Sequence, residues 1–534
     1  MRERISVMYS FNSLSLKLLM ICFFYIGLHS NLTAQVYRMW SHRFVLNDTL
    51  GYSQNQTVIS PDGKVYVCGS ISDQRNSYVQ TYLMQYDSLG TLNWQKIFDS
   101  TYHQSYLAVD AENNLYINGI SRKIGGGVFL MKYDDRGNLL WRKDHTKSGG
   151  VDWVHALVID DSNNVYSGAI MAWHYPTLLK YDPDGKLLWM VEDSVGGYQN
   201  TSVSLALDNQ RNIIFLYTDY YETHINKFTA SGLKLWQEFY SANENTGWAY
   251  GFNVRCDKQN MIYLIASTDN RDGKGDYAIA KFNLEGQLVW QRFFSGSSYY
   301  DYPQAMTLDN ESNIYVTGII HPFNCYNDSF ATLKYDSSGN LKWVNYYASP
   351  ECYDDIPIAI EFSNDGYIYL AGVGGDIEGG SRIVLIKYDK VGRLIALTRF
   401  GMSSDSWDYP GSMAIDKSGY VYVSGVTNIG NFQNVFTSKW AFISNTGIND
   451  KSGNLNSLKV YPNPAHSDFN LVASFKLNAA QFMLYDIRGK LIFEKSGING
   501  TISEFNCADI KPGLYIYMVK ENGNYLSKGK LIIE

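Results

Sequence analysis

Short apolar runs separated by polar turns fill the chain between about residues 37 and 442, and the same order of runs returns about every fifty residues. One unit reads Ala305-Met306-Thr307-Leu308, a turn at Asp309, then Ile314-Tyr315-Val316-Thr317-Gly318. A third run ends at Lys334-Tyr335-Asp336, and a fourth carries Gly339-Asn340-Leu341-Lys342-Trp343. Runs of this length between Gly, Asn and Asp punctuation predict strands. Four strands, here lettered a to d, make one unit, and repeats of this length built from short strands predict a β-propeller.

The marks recur in register. Strand b carries Tyr66, Tyr116, Tyr166, Tyr263, Tyr315, Tyr369 and Tyr422, with Phe215 taken as the equivalent in the fourth unit. Strand d carries Trp94, Trp141, Trp189, Trp236, Trp290 and Trp343, and Ala396 in the seventh unit. The last unit ends at Lys439-Trp440 without a strand d, whereas Tyr37-Arg38-Met39-Trp40 reads as a strand d standing alone. The N-terminal strand is therefore expected to complete the last blade. This predicts eight blades over residues 35–444, with seven as the alternative if the fourth unit is not a full blade. The fourth residue after strand a is Gly63, Asn114, Asn164, Asn212, Asn260, Asn313, Gly366 or Gly419, and these residues tolerate positive φ. Asp-x-x-Gly between strands c and d, as at Asp336–Gly339, suits a tight hairpin with a left-handed glycine. The pattern resembles the β-propeller repeats of exported bacterial proteins, a resemblance that implies a fold and no activity.

Aromatic residues make up 15% of the chain and prolines number only 11, a composition that suits sheets joined by tight turns. The net charge of -7 and the lack of a basic run argue against nucleic acid. Arg2 and Arg4 precede an uncharged apolar run, Leu18 to Leu28, and Leu32-Thr33-Ala34 resembles a cleavage site, so residues 1–34 read as an export signal. Five cysteines follow it, and an odd count leaves at least one thiol free. Cys68 and Cys256 fall in strands as small apolar residues. Cys325 and Cys352 fall in neighbouring loops, where a disulfide would close a loop of about 27 residues and add a few kcal/mol. Paired and unpaired states both remain open for them.

Residues 445–457 are polar and rich in Gly, Ser and Asn, as expected of a linker, and beyond them the repeat stops. Strand-length runs in residues 458–534 predict a small Ig-like β-sandwich. Four blocks stand in order: Tyr461-Pro462-Asn463-Pro464; Tyr485-Asp486-Ile487-Arg488-Gly489-Lys490; Lys511-Pro512-Gly513-Leu514-Tyr515; and Lys528-Gly529-Lys530 before an apolar end. They closely resemble the C-terminal sorting domain of type IX secretion cargo in Bacteroidetes. The resemblance implies recognition by the secretion machinery through residues 458–534. It also implies delivery to the cell surface or the extracellular space.

Strand directions alternate, so the longer d–a and b–c loops share one face, where binding is expected. Eight residues before the end of strand a lie Asp152, Asp301, Asp355 and Asp408, with Trp153, Trp248, Tyr302 and Trp407 at or beside the equivalent position. Acidic groups and aromatic faces in a ring suit a cation or a sugar, and a glycan or protein ligand is expected on this face. The alternative is that each Asp ties its own loop and recurs because the blade recurs. A polysaccharide-degrading enzyme using these carboxylates as acid and base is the other functional expectation. No His-Glu-x-x-His, Gly-x-Ser-x-Gly or phosphate-binding glycine loop occurs. Asp-x-x-Gly-x-x-x-Trp resembles the docking motif of quinoprotein dehydrogenase propellers, but its spacing is a residue short and no paired cysteines accompany it. No cofactor or metal is implied, and a monomeric, more binding than catalytic, protein is expected.

Overall fold

The computed structural model describes residues 34–44, 50–73, 79–99, 101–121, 127–146, 153–172, 175–193, 202–218, 222–241, 248–269, 275–297, 300–321, 328–349, 354–375, 380–403, 406–429, 432–444, 458–461, 465, 468–486, 490–521 and 524–533. Every regular element among them is a β-strand. The chain divides into two compact units, Met1–Ile443 and Ser444–Glu534.

Among the described residues the first unit holds eight four-stranded antiparallel sheets. Seven are built from consecutive strands. The eighth joins Ser406–Ile415, Val421–Ile429 and Phe432–Ser444 to the N-terminal strand Ala34–Phe44, as the lone Trp40 strand predicts. The inner a strands are Leu50–Ile59, Thr101–Val109, Trp153–Ile159, Ser202–Leu207, Trp248–Cys256, Tyr302–Leu308, Ile356–Phe362 and Ser406–Ile415. Each touches the next, and the last touches the first. This is the β-propeller arrangement, which closes a sheet protein without long free inner edges.

The three repeat marks turn out to be one transverse row across each sheet. In the sixth sheet Tyr315 pairs with Lys334, and Lys334 with Trp343. The Lys334 ammonium lies 5.0 Å from the Tyr315 ring centre. Lys334 Nζ and Trp343 Nε1 then both donate to one acceptor in the next sheet, the Lys390 carbonyl, at 2.9 and 3.2 Å. The same shared acceptor recurs as Pro183, Ala230, Leu284 and Ser337. Ring closure repeats the pattern, because Lys439 and Trp40 of the eighth sheet both donate to Ser88 O in the first, at 2.9 and 3.3 Å. The Asp-x-x-Gly turn completes the joint. Its left-handed glycine, such as Gly392 at φ 84°, lies under the Trp of the preceding sheet, where an added Cβ would meet Trp343 at 2.8 Å.

This joint explains Ala396. In the eighth sheet strand c runs out of the unit, and strand d comes from the N-terminus, so no c–d turn offers a carbonyl to a Trp of the seventh. Ala396 is instead fully buried against Val36 and Phe442. Lys387, also without that carbonyl, pairs with Asp365 at 3.1 Å.

Two expectations shift by one residue. The left-handed positions of the a–b turns are Gly63, Asn113, Asn163, Arg211, Asn260, Ser312, Gly366 and Gly419. Asn114, Asn164, Asn212 and Asn313 are therefore not the positive-φ residues. Their amides donate to the turn aspartates, for example Asn114 Nδ2 to Asp110 Oδ2 at 2.9 Å. In the fourth sheet Lys227 pairs with Ile214, not with Phe215, so Ile214 holds the tyrosine position. In the second, third, fifth, sixth, seventh and eighth sheets that tyrosine hydroxyl donates to an aspartate of the a–b turn, as Tyr315 to Asp309 at 2.9 Å. Without it, Lys227 reaches Asp208 directly at 2.9 Å, with both side chains buried.

The second unit has strands Leu458–Tyr461, Asp468–Asp486, Leu491–Asn506, Gly513–Glu521 and Asn524–Ile533 in one hydrogen-bonded sheet. The two long strands carry several register shifts, which let them bend around a core of Phe469, Phe482 and Phe505. Phe482 and Phe505 lie 4.7 Å apart.

Candidate functional site

The variable-loop end of the inner strands brings together most of the residues expected there. Asp301, Asp355 and Asp408 stand at equivalent places, but all three are buried, at 0%, 1% and 0% exposure. Asp301 Oδ2 accepts the Gly296 and Ser297 amides at 2.6 and 3.0 Å, and Oδ1 accepts Ser297 Oγ at 2.7 Å. Asp355 accepts the amides of Ser349 and Gly375. Asp408 accepts the Met402 amide at 2.9 Å and Ser406 Oγ at 2.6 Å. Each carboxylate thus ties the chain arriving from the preceding sheet to the inner strand of its own. Burial raises all three carboxyl groups against the pull of those donors, Asp355 to about 6. A carboxylate without surface cannot reach a polysaccharide, so the geometry gives these acids a tie and not the acid/base part expected of them.

The tie has a consequence for its neighbours. Along Ser406–Ile415 side chains alternate, with Ser406, Asp408 and Pro410 buried and Trp407 and Tyr409 exposed at 47% and 40%. Beside Asp301, Tyr300 is 39% exposed and stacks on Tyr302, with centroids 6.0 Å apart and planes 6° from parallel. The His321 ring bridges the Tyr300 carbonyl at 2.8 Å and Asp328 at 2.7 Å, which holds that segment in place. Buried carboxylates therefore present outward-facing aromatic rings.

The remaining candidates are placed as follows. Asp152, Cys325 and Cys352 lie outside the described residues, so the disulfide expectation does too. Trp153 and Trp248 open the strands Trp153–Ile159 and Trp248–Cys256. His155 lies within a strand, and burial lowers its imidazole to about 4. Cys68 and Cys256 are free, and burial pushes both thiols up to about 12. In the second unit Tyr461 ends a strand, Gly513 opens one after exposed Pro512, and Lys528 and Lys530 lie in the last; Pro462, Asn463, Pro464 and Gly489 lie outside the described residues.

Residues 459–534 match the secretion system C-terminal sorting domain. The chain is a type IX-sorted β-propeller protein. Within the propeller, residues 289–318 and 398–433 match the β-propeller repeat, and residues 60–93 match a β-propeller domain of unknown function. The sorting domain marks this propeller for export, to the cell surface or the extracellular space. No curated protein matches the chain. Similar solved structures include the WD40 domain of SCAP from fission yeast, 9% identical over 76% of this chain and 94% of that one, with a TM-score of 0.45. A protein of unknown function from Dyadobacter fermentans is 9% identical over 76% and 99%, with a TM-score of 0.36. A PL25 ulvan lyase is 10% identical over 67% and 94%, with a TM-score of 0.39. At these scores none of them bears on the chemistry of this chain.

Sequence reasoning singled out the positions on this face but passed over the opposite end of the channel. Glu361 and Arg255 lie there on inner strands, where the repeat elsewhere has only small residues.

Proposed function

We propose that the mature protein is an eight-bladed propeller, delivered by its Ig-like sorting domain, that binds extracellular glycans without catalysis through its variable-loop face. The observation that carries this reading is the alternation at the inner strands. Asp301 and Asp408 are buried ties, while Tyr300, Trp407 and Tyr409 are turned outward and Tyr302 backs the Tyr300 ring. Flat aromatic faces with a polar rim suit the C–H faces and hydroxyls of sugar rings. The buried state of the carboxylates favours binding over hydrolysis.

A glycan array probed with the full chain and with Trp407→Ala and Tyr300→Ala tests this. Saturable binding that falls in both variants, with unchanged unfolding midpoints, is the expected result. Binding that survives both substitutions would move the site elsewhere and overturn the reading.

A further inference from the structure

The inner strands of three consecutive sheets, the seventh, eighth and first, line a cavity of about 360 Å³ at the a–b turn end of the channel. The volume falls at the small end of the roughly 300–1,000 Å³ usual for small-molecule sites. Its walls are mainly apolar, with Val58, Phe362, Met413 and Ile415. The seventh strand sets Glu361 into these walls. Two residues before the a–b turn, at this same level, six of the eight inner strands carry a side chain no larger than valine.

The other polar groups of the cavity are committed. The Thr57 hydroxyl is shared with Ser412 and Ser424. Asp416 accepts turn amides and the Tyr422 hydroxyl, and Lys417 Nζ donates to Pro61 O at 3.3 Å. Glu361 differs, because among the described residues its carboxylate takes no hydrogen bond and no ion pair. Burial raises that carboxyl, and the Arg255 charge pulls it down only from an exposed side chain outside the cavity. An anion left without a partner among apolar walls is unfavourable, and a cation seated beside it removes the cost.

The lining selects the kind of cation. A metal ion needs several oxygen ligands, and among the described residues Glu361 is the cavity's one uncommitted carboxylate. A quaternary ammonium is held by a cage of aromatic faces, and Phe362 is the one aromatic side chain among those lining the cavity. A diamine would bring its second charge toward the Lys417 ammonium. What fits is a single ammonium with N–H donors on an apolar body, since a charge-assisted bond to a carboxylate is about twice as strong as a neutral one.

We propose that this cavity binds a small primary monoamine, with its ammonium on the Glu361 carboxylate and its alkyl or aryl body against Val58, Phe362, Met413 and Ile415. The site lies at the opposite end of the channel from the aromatic face and is independent of glycan binding.

The test is saturation-transfer NMR on the full chain at pH 8 with butylamine, benzylamine and phenethylamine, each beside the alcohol of the same skeleton, and with putrescine and tetramethylammonium. At least one monoamine should receive saturation, and its alcohol, putrescine and tetramethylammonium should receive less. Glu361→Gln should weaken that binding by on the order of tenfold or more, as expected for loss of a charge-assisted bond. The same variant should keep or raise the unfolding midpoint followed by tryptophan fluorescence, because it removes an unpaired charge, whereas loss of a structural ion pair would lower it. Ala414→Leu, which fills the cavity without touching its charges, should also abolish amine binding; if Glu361→Gln does not fold, this variant and the alcohols still decide. No saturation of any monoamine, equal saturation of amine and alcohol, or undiminished binding by a folded Glu361→Gln or Ala414→Leu overturns the proposal.

Discussion

Gly339→Ala isolates the joint between sheets. Gly339 has φ 79°, and an added Cβ would lie 2.8 Å from Trp290 Cδ2 and 3.1 Å from Arg292 Nη2. The indole has no room to retreat, because its Nε1 donates to Ser337 O at 3.1 Å and it stacks on Tyr335 at 6.5 Å. Gly63→Ala is the matched control, with φ 89° and nothing within 4 Å of the added Cβ. Both variants carry the left-handed backbone penalty of roughly 1–2 kcal/mol, partly offset by reduced freedom of the unfolded chain. Only Gly339→Ala adds overpacking, worth roughly 1–3 kcal/mol. The expected losses are therefore about 1 kcal/mol for Gly63→Ala and about 2–4 kcal/mol for Gly339→Ala. All 12 tryptophans precede residue 444, so tryptophan fluorescence during urea denaturation of the full chain reports the propeller alone. Trp290→Leu should relieve the clash, making the double variant less unstable than the sum of its parts. Equal losses for the two glycine variants, within about 0.5 kcal/mol, would refute the interlock.

The other predictions concern the ties and the closure. Asp355 keeps a proton to about pH 6 in the fold, well above the ordinary aspartate value of 3.8. Stability should therefore decline as pH rises between these values, by a contribution on the order of 3 kcal/mol, and Asp355→Asn should flatten that slope in urea midpoints. Lys227→Met strands the buried Asp208 carboxylate and should destabilise by about 3 kcal/mol at pH 7, whereas Tyr315→Phe, which removes one hydroxyl bond to Asp309, should lose only about 1 kcal/mol. A Lys227→Met loss no larger than that of Tyr315→Phe would contradict the role given to this ion pair. Trp40→Ala removes the indole over Gly90 and should speed hydrogen exchange in Phe432–Ser444 before other strands, while unchanged exchange there would argue against Trp40 as the clasp. Deleting residues 458–534 in the native host should keep the propeller inside the cell, and its undiminished appearance outside would contradict the sorting role.

The repeat was legible because strand chemistry is local. Tyr-x-x-Gly, Lys-Tyr-Asp and Gly-x-Leu-x-Trp each mark one short strand or turn, and their fifty-residue return already implied sheets in a ring and a last sheet completed by Trp40. The order of the four C-terminal blocks likewise carried the sorting domain. What no single strand encodes is the partner of each mark. Cross-strand register sets Tyr315, Lys334 and Trp343 in one row, and only the next sheet supplies the carbonyl they serve. Register also decided the one-residue matters: Ile214 rather than Phe215, and Asn113 rather than Asn114 at positive φ. The recurring aspartates looked like a ligand ring because sequence shows that a residue recurs, not which way it points. Burial answered that question. A carboxylate turned inward finds backbone amides left unpaired where one sheet hands the chain to the next, and its neighbours on the extended segment are then turned out to solvent.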